Sequence, residues 1–189
     1  MNDLERNILV QIMDFSKKIY DQMNRIHHNW DHIMRDYRRA EIICAEEKAN
    51  DFVVLSAITM HDLGYLFGPE GHALSGARAC RENILPEYNL PKPIIEQICH
   101  CIEAHDPDSG VLPQTIEAKI VADADLLEKS DLMVIMEGLF NNVAREFNIT
   151  YQDYIRLFLR KMKPNFYTKK AEEMDNGRLE LIRKLFEKA

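Results

Sequence analysis

The sequence predicts an all-α fold, and three features of the chain support this class. Apolar residues recur at intervals of three and four over most of the chain, which is the spacing of amphipathic helices. The alternation of apolar and polar residues that is typical of strands is essentially absent. The seven glycines and seven prolines cluster at a few positions, which indicates breaks between helices. We therefore expect a single-domain helical bundle.

Two amphipathic helices are predicted in the N-terminal part of the chain. The first spans 4–24 because apolar side chains follow the helical spacing at Leu4, Ile8, Ile12, Phe15, Ile19 and Met23. The second spans 32–47, with Asp31 as its N-cap and His32 in its first turn.

The central part of the chain is expected to form the core. A helix over 51–61 is apolar on nearly every side, so it should be buried. A turn-rich loop over 64–71 and a helix over 72–85 with several small residues come next. Prolines then separate this helix from another over 93–104.

The C-terminal part is predicted to contain a helix over 117–136 and two or three more. Loops are expected near Asn148 and Pro164, and the last helix over 178–188. No change of composition divides the chain. We therefore expect one domain over 1–189, with a metal-binding core over about 24–136 and C-terminal helices over 137–189.

Composition argues against several function classes. At 189 residues the chain suits one domain with a full hydrophobic core, and its net charge of -7 argues against a general nucleic-acid binder. No apolar run approaches the roughly 20 residues of a membrane span, and the charged first residues do not resemble a secretory signal. We expect a cytoplasmic protein without nucleic-acid or membrane partners.

The four cysteines are expected to be reduced, partly buried side chains, with a redox role as the alternative. They are Cys44, Cys80, Cys99 and Cys101. Cys99 and Cys101 are two residues apart on a predicted helix, so they point in different directions and form a poor metal clamp.

The chemistry of the chain is expected at the adjacent pair His61 and Asp62, which ends the buried segment. A buried carboxylate is costly without a partner, and a metal cation that also binds imidazole would compensate it. Further candidate ligands are His32 and an aspartate at 123 or 125. Each alone has a simpler interpretation, because a buried histidine can be an ordinary core residue and an aspartate can be solvated or cap a helix.

Four segments together resemble the HD superfamily of metal-dependent phosphohydrolases, in particular its small single-domain bacterial branch. His32 to Arg35 is similar to the H-x-x-R start of the first ligand helix, and Ala57 to Gly64 to the A-x-x-x-H-D-h-G core, where h is apolar. His72 to Ala77 resembles an H-x-x-x-G-A helix, and Glu117 to Leu127 resembles E-x-K-I-V-x-D-A-D-x-L. The resemblance covers about 24–136 and implies an all-α fold.

The resemblance implies a metal site in which a divalent ion activates water near neutral pH. The implied ligands are His32, His61, Asp62 and Asp125, with Asp123 either supporting a ligand or standing at a helix start. The ion could be Mn, Fe, Co, Ni, Zn or Mg, since ligand type does not fix its identity. Asp62 is expected to hold the nucleophilic water as well as the metal.

Other residues are expected to contact the substrate or to assist catalysis. His72 and His105 could bind phosphate or a second ion, although the loop before His72 is short compared with two-metal relatives. Lys119 is a possible phosphate contact, with an ordinary solvated lysine as the alternative. Arg35 could reach a phosphate or pair with Glu128, and Glu128 could act as an acid or base.

The chain departs from the pattern of the family at one position after the His-Asp pair. Several nucleotide-cleaving relatives carry a carboxylate three residues after the His-Asp aspartate, where this chain has Tyr65. A mechanism that depends on that carboxylate is therefore not supported, and Glu128 or bulk water would substitute. Surface positions are favoured for His27 and His28, with a pocket position for His28 as the alternative.

The expected function is hydrolysis of a small phosphate ester or anhydride, with a nucleotide as the favoured substrate. The alternatives are a diiron oxygenase that uses His32, His61, Asp62, His72, His105 and Asp125, and a non-catalytic metal-bound sensor. Exposed apolar positions on the C-terminal helices could support a homodimer.

Overall fold

A computed structural model describes residues 1–23, 25–140, 148–161 and 165–186. Within these ranges the chain is helical and contains no strand, which confirms the predicted fold class. The α-helices in chain order are α1 (Asp3–Met23), α2 (Trp30–Glu47), α3 (Asp51–Met60), α4 (His72–Ala79), α5 (Lys92–His105), α6 (Ile116–Lys129), α7 (Leu132–Phe140), α8 (Tyr151–Lys161), α9 (Lys169–Asp175) and α10 (Arg178–Phe186). The predicted helix ends at Asn24 and Lys188 and the loop at Pro164 lie outside the described residues.

Helix α3 lies at the centre of the fold. Asn50 caps its first turn, because the Asn50 side chain accepts hydrogen bonds from the backbone N–H groups of Phe52 and Val53. Every residue from Phe52 to Met60 is buried, and α1, α2, α5 and α6 pack around the helix. Since burying one large apolar side chain contributes about 1.5–3 kcal/mol, α3 holds its C-terminal end, where His61 and Asp62 follow, in a fixed place.

Helix α2 begins earlier than the sequence suggests. Its N-cap is Asn29, whose side chain accepts a hydrogen bond from the backbone N–H of His32. The prediction of Asp31 as the cap is therefore wrong, because Asp31 lies inside the first turn. The cap nevertheless fixes His32 close to the start of the helix.

The single helix predicted over 117–136 is two helices. Helix α6 ends at Lys129, where Ser130 donates its hydroxyl hydrogen to the carbonyl of Leu127. Asp131 then accepts a hydrogen bond from the backbone N–H of Met133 and so starts α7. Two competing side-chain hydrogen bonds thus interrupt an apolar pattern that runs on through the break.

The helix predicted over 72–85 is also shorter than expected. Helix α4 ends at Ala79 and continues as a π-helical segment, Cys80–Ile84, and a 3-10 segment, Leu85–Tyr88. The proline at position 86 falls in this last segment, where its missing N–H does not permit a regular α-helix to continue. Further 3-10 segments span Leu63–Phe67 and Pro107–Ser109.

Two glycines allow the segment after α3 to approach α4 closely. A Cβ atom on Gly64 would lie 1.8 Å from the carbonyl oxygen of His72, and one on Gly76 would lie 2.9 Å from the backbone nitrogen of Gly64. Neither position has room for a side chain. This contact brings His72, the first residue of α4, towards Asp62.

The four cysteines are free and buried. Among the described residues, no single helix is long and apolar enough to cross a membrane, and the segments Asp51–Phe67 and His72–Tyr88 reach that length and composition only as a pair bent by 110°.

Candidate functional site

The site lies where several helix ends meet beside one carboxylate. Asp62 is 2% exposed and lies two residues after the end of α3. Within the described residues, every ion-pair partner of this carboxylate is an imidazole. The partners are His28, His32, His61, His72 and His105. A buried carboxylate surrounded by imidazole nitrogens is a donor set suited to a divalent cation.

Three of these imidazoles are oriented by the same backbone contact. The Nδ1 atom of each lies near the carbonyl oxygen three residues earlier: 2.8 Å for His61, 3.3 Å for His72 and 2.7 Å for His105. A carbonyl oxygen only accepts hydrogen bonds, so Nδ1 carries the proton and Nε2 keeps its lone pair. Each Nε2 is therefore prepared to bind a metal ion or to accept a proton.

The first cluster contains the predicted ligands His32, His61 and Asp62. His32 Nε2 lies 3.3 Å from His61 Nε2 and 3.2 Å from Asp62 Oδ2, and His61 Nε2 lies 3.4 Å from the same oxygen. Donors bound about 2.0–2.2 Å from one ion lie roughly 3 to 3.5 Å apart, whether the geometry is octahedral or tetrahedral. The spacing of these three atoms therefore fits a shared divalent cation.

Asp125 lies beside this cluster, whereas Asp123 does not. Ligand atoms of Asp125, His32 and His61 lie within 4.8 Å of one another in a group that also includes Asp36. The Asp123 carboxylate instead accepts hydrogen bonds from the backbone N–H groups of Tyr167 and Thr168 and from the Thr168 hydroxyl, at 2.7 to 3.1 Å. Asp123 therefore ties α6 to the segment that starts α9.

The other oxygen of Asp62 faces a second pair of imidazoles. Asp62 Oδ1 lies 3.4 Å from His72 Nε2 and 3.5 Å from His105 Nε2, and these two nitrogens are 3.2 Å apart. His61, Asp62 and His105 also form a group with ligand atoms within 4.8 Å. The two carboxylate oxygens thus face two neighbouring clusters of nitrogen donors.

His28 belongs to the site, although the sequence favoured a surface position for it. Its Nδ1 atom lies 2.6 Å from Asp62 Oδ2, and it forms a possible ligand group with His32 and Asp62. His27 also lines the cavity that opens beside this site. Both residues precede α2 in a segment without helical period, so spacing gave no indication of their direction.

A buried ion-pair network lies behind His32. His32 Nδ1 is 3.1 Å from Glu128, and Glu128 also pairs with Arg35 at 2.6 Å. Arg39 pairs with Glu128, with Asp36 and with the half-buried carboxylate of Asp131. Arg35 and Glu128 are therefore bound to each other, which is the structural alternative that the sequence left open for Arg35.

Two members of this network, Asp36 and Arg39, were not predicted from the sequence. Asp36, which is fully buried, lies one helical turn after His32, and Asp36 Oδ2 is 3.4 Å from His32 Nδ1. Arg39 lies three residues further on. Helical spacing from His32 would have identified the position of Asp36.

The carboxylates of the cluster are ionised, which favours the binding of a cation. Burial alone would raise the pKa of Asp62, but the imidazoles of His61 and His28 and a hydrogen bond with His105 hold that pKa well below its usual value. Burial opposes ionisation of Asp125 too, yet Lys129 and then His61 lower its pKa. Both carboxylates are therefore charged at neutral pH, and Asp62 helps to raise the pKa of His61 in spite of burial.

A cavity of about 620 Å³ opens beside the cluster. Its walls include the site residues His28, His32, Asp62, His72, His105, Asp125 and Glu128. The cavity is also lined by apolar residues from the C-terminal half, including Val134, Ile135, Ile155 and Phe186, and by the cation Arg160. Arg160 donates a hydrogen bond to Asp108 at 3.1 Å, which links α8 to the segment after α5.

Lys129 lines this cavity, whereas Lys119 is not among the lining residues. The lysine expected from the sequence is ten residues from Lys129, or about 15 Å along an α-helix. Lys129 Nζ lies 2.8 Å from Asp125 Oδ2, with the spacing of one helical turn. His100 is also directed elsewhere, since its Nε2 accepts a hydrogen bond from the backbone N–H of Gln114.

Comparison with known proteins gives the family. The family model of the HD domain matches residues 29–130, more than half of the chain. YpgQ of Bacillus subtilis is 27% identical over 171 residues, which cover 84% of this chain and 82% of YpgQ. The crystal structure of YpgQ in complex with ADP superposes with a TM-score of 0.65 at 21% identity, covering 98% of this chain and 97% of YpgQ.

Two other solved structures share the fold. A protein from Lactobacillus plantarum superposes with a TM-score of 0.75 at 18% identity, over 100% of this chain and 96% of its own. A predicted HD superfamily hydrolase from an uncultured Thermotogales bacterium gives 0.65 at 20% identity, over 94% and 88%. The resemblance seen in the sequence is thus confirmed, and the chain belongs to the HD domain family.

Proposed function

We propose that this protein is a metal-dependent phosphohydrolase that cleaves a small phosphate ester or anhydride, with a nucleotide as the favoured substrate. The observation that carries the proposal is the convergence of His32 Nε2, His61 Nε2 and Asp62 Oδ2 at 3.2 to 3.4 Å from one another, beside a cavity whose walls include His32 and Asp62. Asp125 is the proposed fourth ligand. A divalent ion held there would acidify a bound water and attract phosphate oxygens.

The residues of the chain have distinct proposed tasks around this centre. Asp62 is charged and buried, so its carboxylate can accept a hydrogen bond from the attacking water and orient that water. His72 and His105 present Nε2 atoms beside the second oxygen of Asp62 and are proposed to contact the phosphate or a second cation. Lys129, which lines the cavity, takes the electrostatic role that the sequence suggested for Lys119.

Arg35 and Glu128 are proposed to act through His32. Glu128 accepts hydrogen bonds from Arg35 and Arg39 and lies beside His32 Nδ1. An imidazole whose Nδ1–H faces a carboxylate is held in one orientation, and its Nε2 becomes a more basic metal ligand. We therefore prefer a supporting role for these two residues to the direct acid, base or phosphate contact expected from the sequence.

A nucleotide substrate is supported by the two kinds of surface in the cavity. Imidazoles, Lys129 and Arg160 lie among its walls with the apolar side chains Val134, Ile135 and Phe186. A molecule with a charged phosphate end and a flat, largely apolar end would contact both. The complex of YpgQ with ADP is consistent with this choice.

A second candidate is an oxygen-activating diiron enzyme. It is favoured by one observation, that Asp62 presents one oxygen to His32 and His61 and the other to His72 and His105. A carboxylate in this position could bridge two ions. Iron content after purification and oxygen uptake with reductant would distinguish this enzyme from a hydrolase.

The decisive experiment is a screen of nucleotides and general phosphatase substrates with added Mn²⁺, Co²⁺, Ni²⁺, Mg²⁺ or Zn²⁺. His61→Ala and Asp62→Ala should each reduce activity by at least about a thousandfold. His100→Ala is the matched control, because His100 is a histidine outside the cavity, and it should retain activity within about twofold. Full activity in both site variants would refute the proposed centre, and metal binding without any turnover would favour the sensor alternative.

A further inference from the structure

The rings of His28, Tyr65 and His72 form a continuous stack beside Asp62. The Tyr65 ring centroid lies 4.0 Å from that of His28 at an interplanar angle of 26°, and 4.1 Å from that of His72 at 20°. These distances and near-parallel planes are those of stacked rings in direct contact. Tyr65 therefore contacts an imidazole on either side.

Both stacked imidazoles also contact Asp62. His28 Nδ1 lies 2.6 Å from Asp62 Oδ2, and His72 Nε2 lies 3.4 Å from Asp62 Oδ1. Each carboxylate oxygen thus has one nitrogen from the stack. The Tyr65 ring thus separates two imidazoles that contact the same carboxylate.

Tyr65 is well placed to fix this separation. It lies in the 3-10 segment that follows Asp62 directly, and its backbone N–H donates to the Asp62 carbonyl at 3.1 Å. Tyr65 is 7% exposed, so the surrounding protein restricts the movement of its side chain. The ring and the carboxylate are consequently held in one rigid unit.

His28 depends most on such support. It lies in the non-helical segment before α2, and its side chain is 21% exposed. His72, in contrast, also has a 3.3 Å contact between its Nδ1 and the carbonyl of Pro69. The Tyr65 ring is therefore the flat surface against which His28 can keep its Nδ1 directed at Asp62.

We propose that Tyr65 is a positioning residue, whose ring holds His28 and His72 at the two oxygens of Asp62. This inference rests on the proposed function, because it makes the stack part of the cation and phosphate site. An aliphatic side chain of similar volume would fill the space but would not present two flat faces. The ring itself, and not the hydroxyl, carries the effect.

The test compares Tyr65→Phe, which keeps the ring, with Tyr65→Met, which keeps most of the volume and loses the ring. Mn²⁺ affinity is measured by calorimetry without substrate, and folding is checked by circular dichroism. Losing a side chain that orients a ligand weakens metal binding by about 10- to 100-fold, so Tyr65→Met should bind Mn²⁺ at least about tenfold more weakly. Tyr65→Phe should stay within about threefold of the wild type.

Two results would overturn the proposal. A folded Tyr65→Met variant with wild-type Mn²⁺ affinity would show that the ring only fills the core. Equal losses in Tyr65→Phe and Tyr65→Met would assign the effect to the hydroxyl. Because affinity is read without substrate, a protein that shows the expected difference but hydrolyses nothing would refute the proposed function alone.

A measurement on the wild-type protein keeps the proposal testable if Tyr65→Met does not fold. Imidazole carbon-bound protons that lie over the face of the Tyr65 ring should resonate upfield in the proton NMR spectrum. The resonances of His28 and His72 are assigned from His28→Gln and His72→Gln. Normal shifts for both imidazoles would rule out the stack and the proposed role together.

Discussion

Replacing Gly64 by alanine should separate α4 from the segment that carries Asp62. The added Cβ would lie 1.8 Å from the carbonyl oxygen of His72 and 2.7 Å from the backbone nitrogen of Gly76. Both neighbours are backbone atoms, so no side-chain rotation relieves the clash. Ordinary van der Waals contact begins at 3.4 Å, so α4 would have to retreat by about 1.6 Å, the difference between 3.4 and 1.8 Å.

The cost of this substitution follows from the rigidity of the contact. Inserting a methyl group into a packed core costs typically about 1–3 kcal/mol, and a clash with backbone belongs at the upper end. For a chain of this size, about 3 kcal/mol lowers the unfolding midpoint by roughly 6–12 °C. Because His72 begins α4, the same movement should carry its Nε2 away from Asp62 and weaken Mn²⁺ binding.

Thermal unfolding followed by circular dichroism, with calorimetry of Mn²⁺ binding, checks this prediction. Gly110→Ala is the matched control, since a Cβ at Gly110 meets no atom within 4 Å and its φ of +74° leaves only backbone strain. That strain should cost about 1–2 kcal/mol. A Gly64→Ala protein that melts within about 2 °C of the wild type would refute the reasoning.

Buried carboxylates, cations and thiols elsewhere in the fold allow three further predictions. Asp123→Asn should lose about 2–3 kcal/mol in urea unfolding, because a buried carboxylate that accepts hydrogen bonds from the start of α9 becomes an amide; a loss below about 0.5 kcal/mol would contradict this. Arg39→Ala should lower the free energy of unfolding by about 3–5 kcal/mol, because it leaves buried carboxylates uncompensated. The control Arg38→Ala, at an exposed neighbouring position, should lower it by less than about 0.5 kcal/mol. Equal effects of the two substitutions would argue against the network. Burial raises the pKa of all four cysteine thiols, so the native protein should react slowly with Ellman's reagent at pH 8 and the unfolded protein fully; rapid labelling of the native protein would be the contrary result.

The sequence was most informative where local chemistry decides structure. The buried helix α3 could be recognised because its residues are apolar on every side, and the pair His61 and Asp62 at its end then needed a compensating partner. The ends of the helices were harder to predict from the sequence. The break between α6 and α7 depends on Ser130 and Asp131, whose side-chain hydrogen bonds interrupt a pattern that apolar spacing would continue.

The site was predictable only in part, for geometric reasons. Asp36 and Lys129 each lie one helical turn from a predicted ligand, so helical spacing contained their positions. His28 lies in an irregular segment, where no period gives the direction of a side chain. Part of the cavity wall comes from α7, α8 and α10. The placement of the C-terminal helices depends on contacts between residues far apart in the sequence, such as that of Asp123 with Thr168, which precedes α9.

The positions of the histidines along their helices explain why the site is preorganised. The last carbonyl groups of a helix have no partner within the helix, and His61 and His105 stand where the last turns of α3 and α5 present such carbonyls at Ile58 and Ile102. Each imidazole satisfies one of them through Nδ1, which leaves Nε2 directed out of the helix end. The same hydrogen bond thus completes the helix and orients a ligand, so the ends of two core helices supply prepared nitrogen donors. Because the core holds these helix ends in place, binding a cation requires little further ordering of the protein.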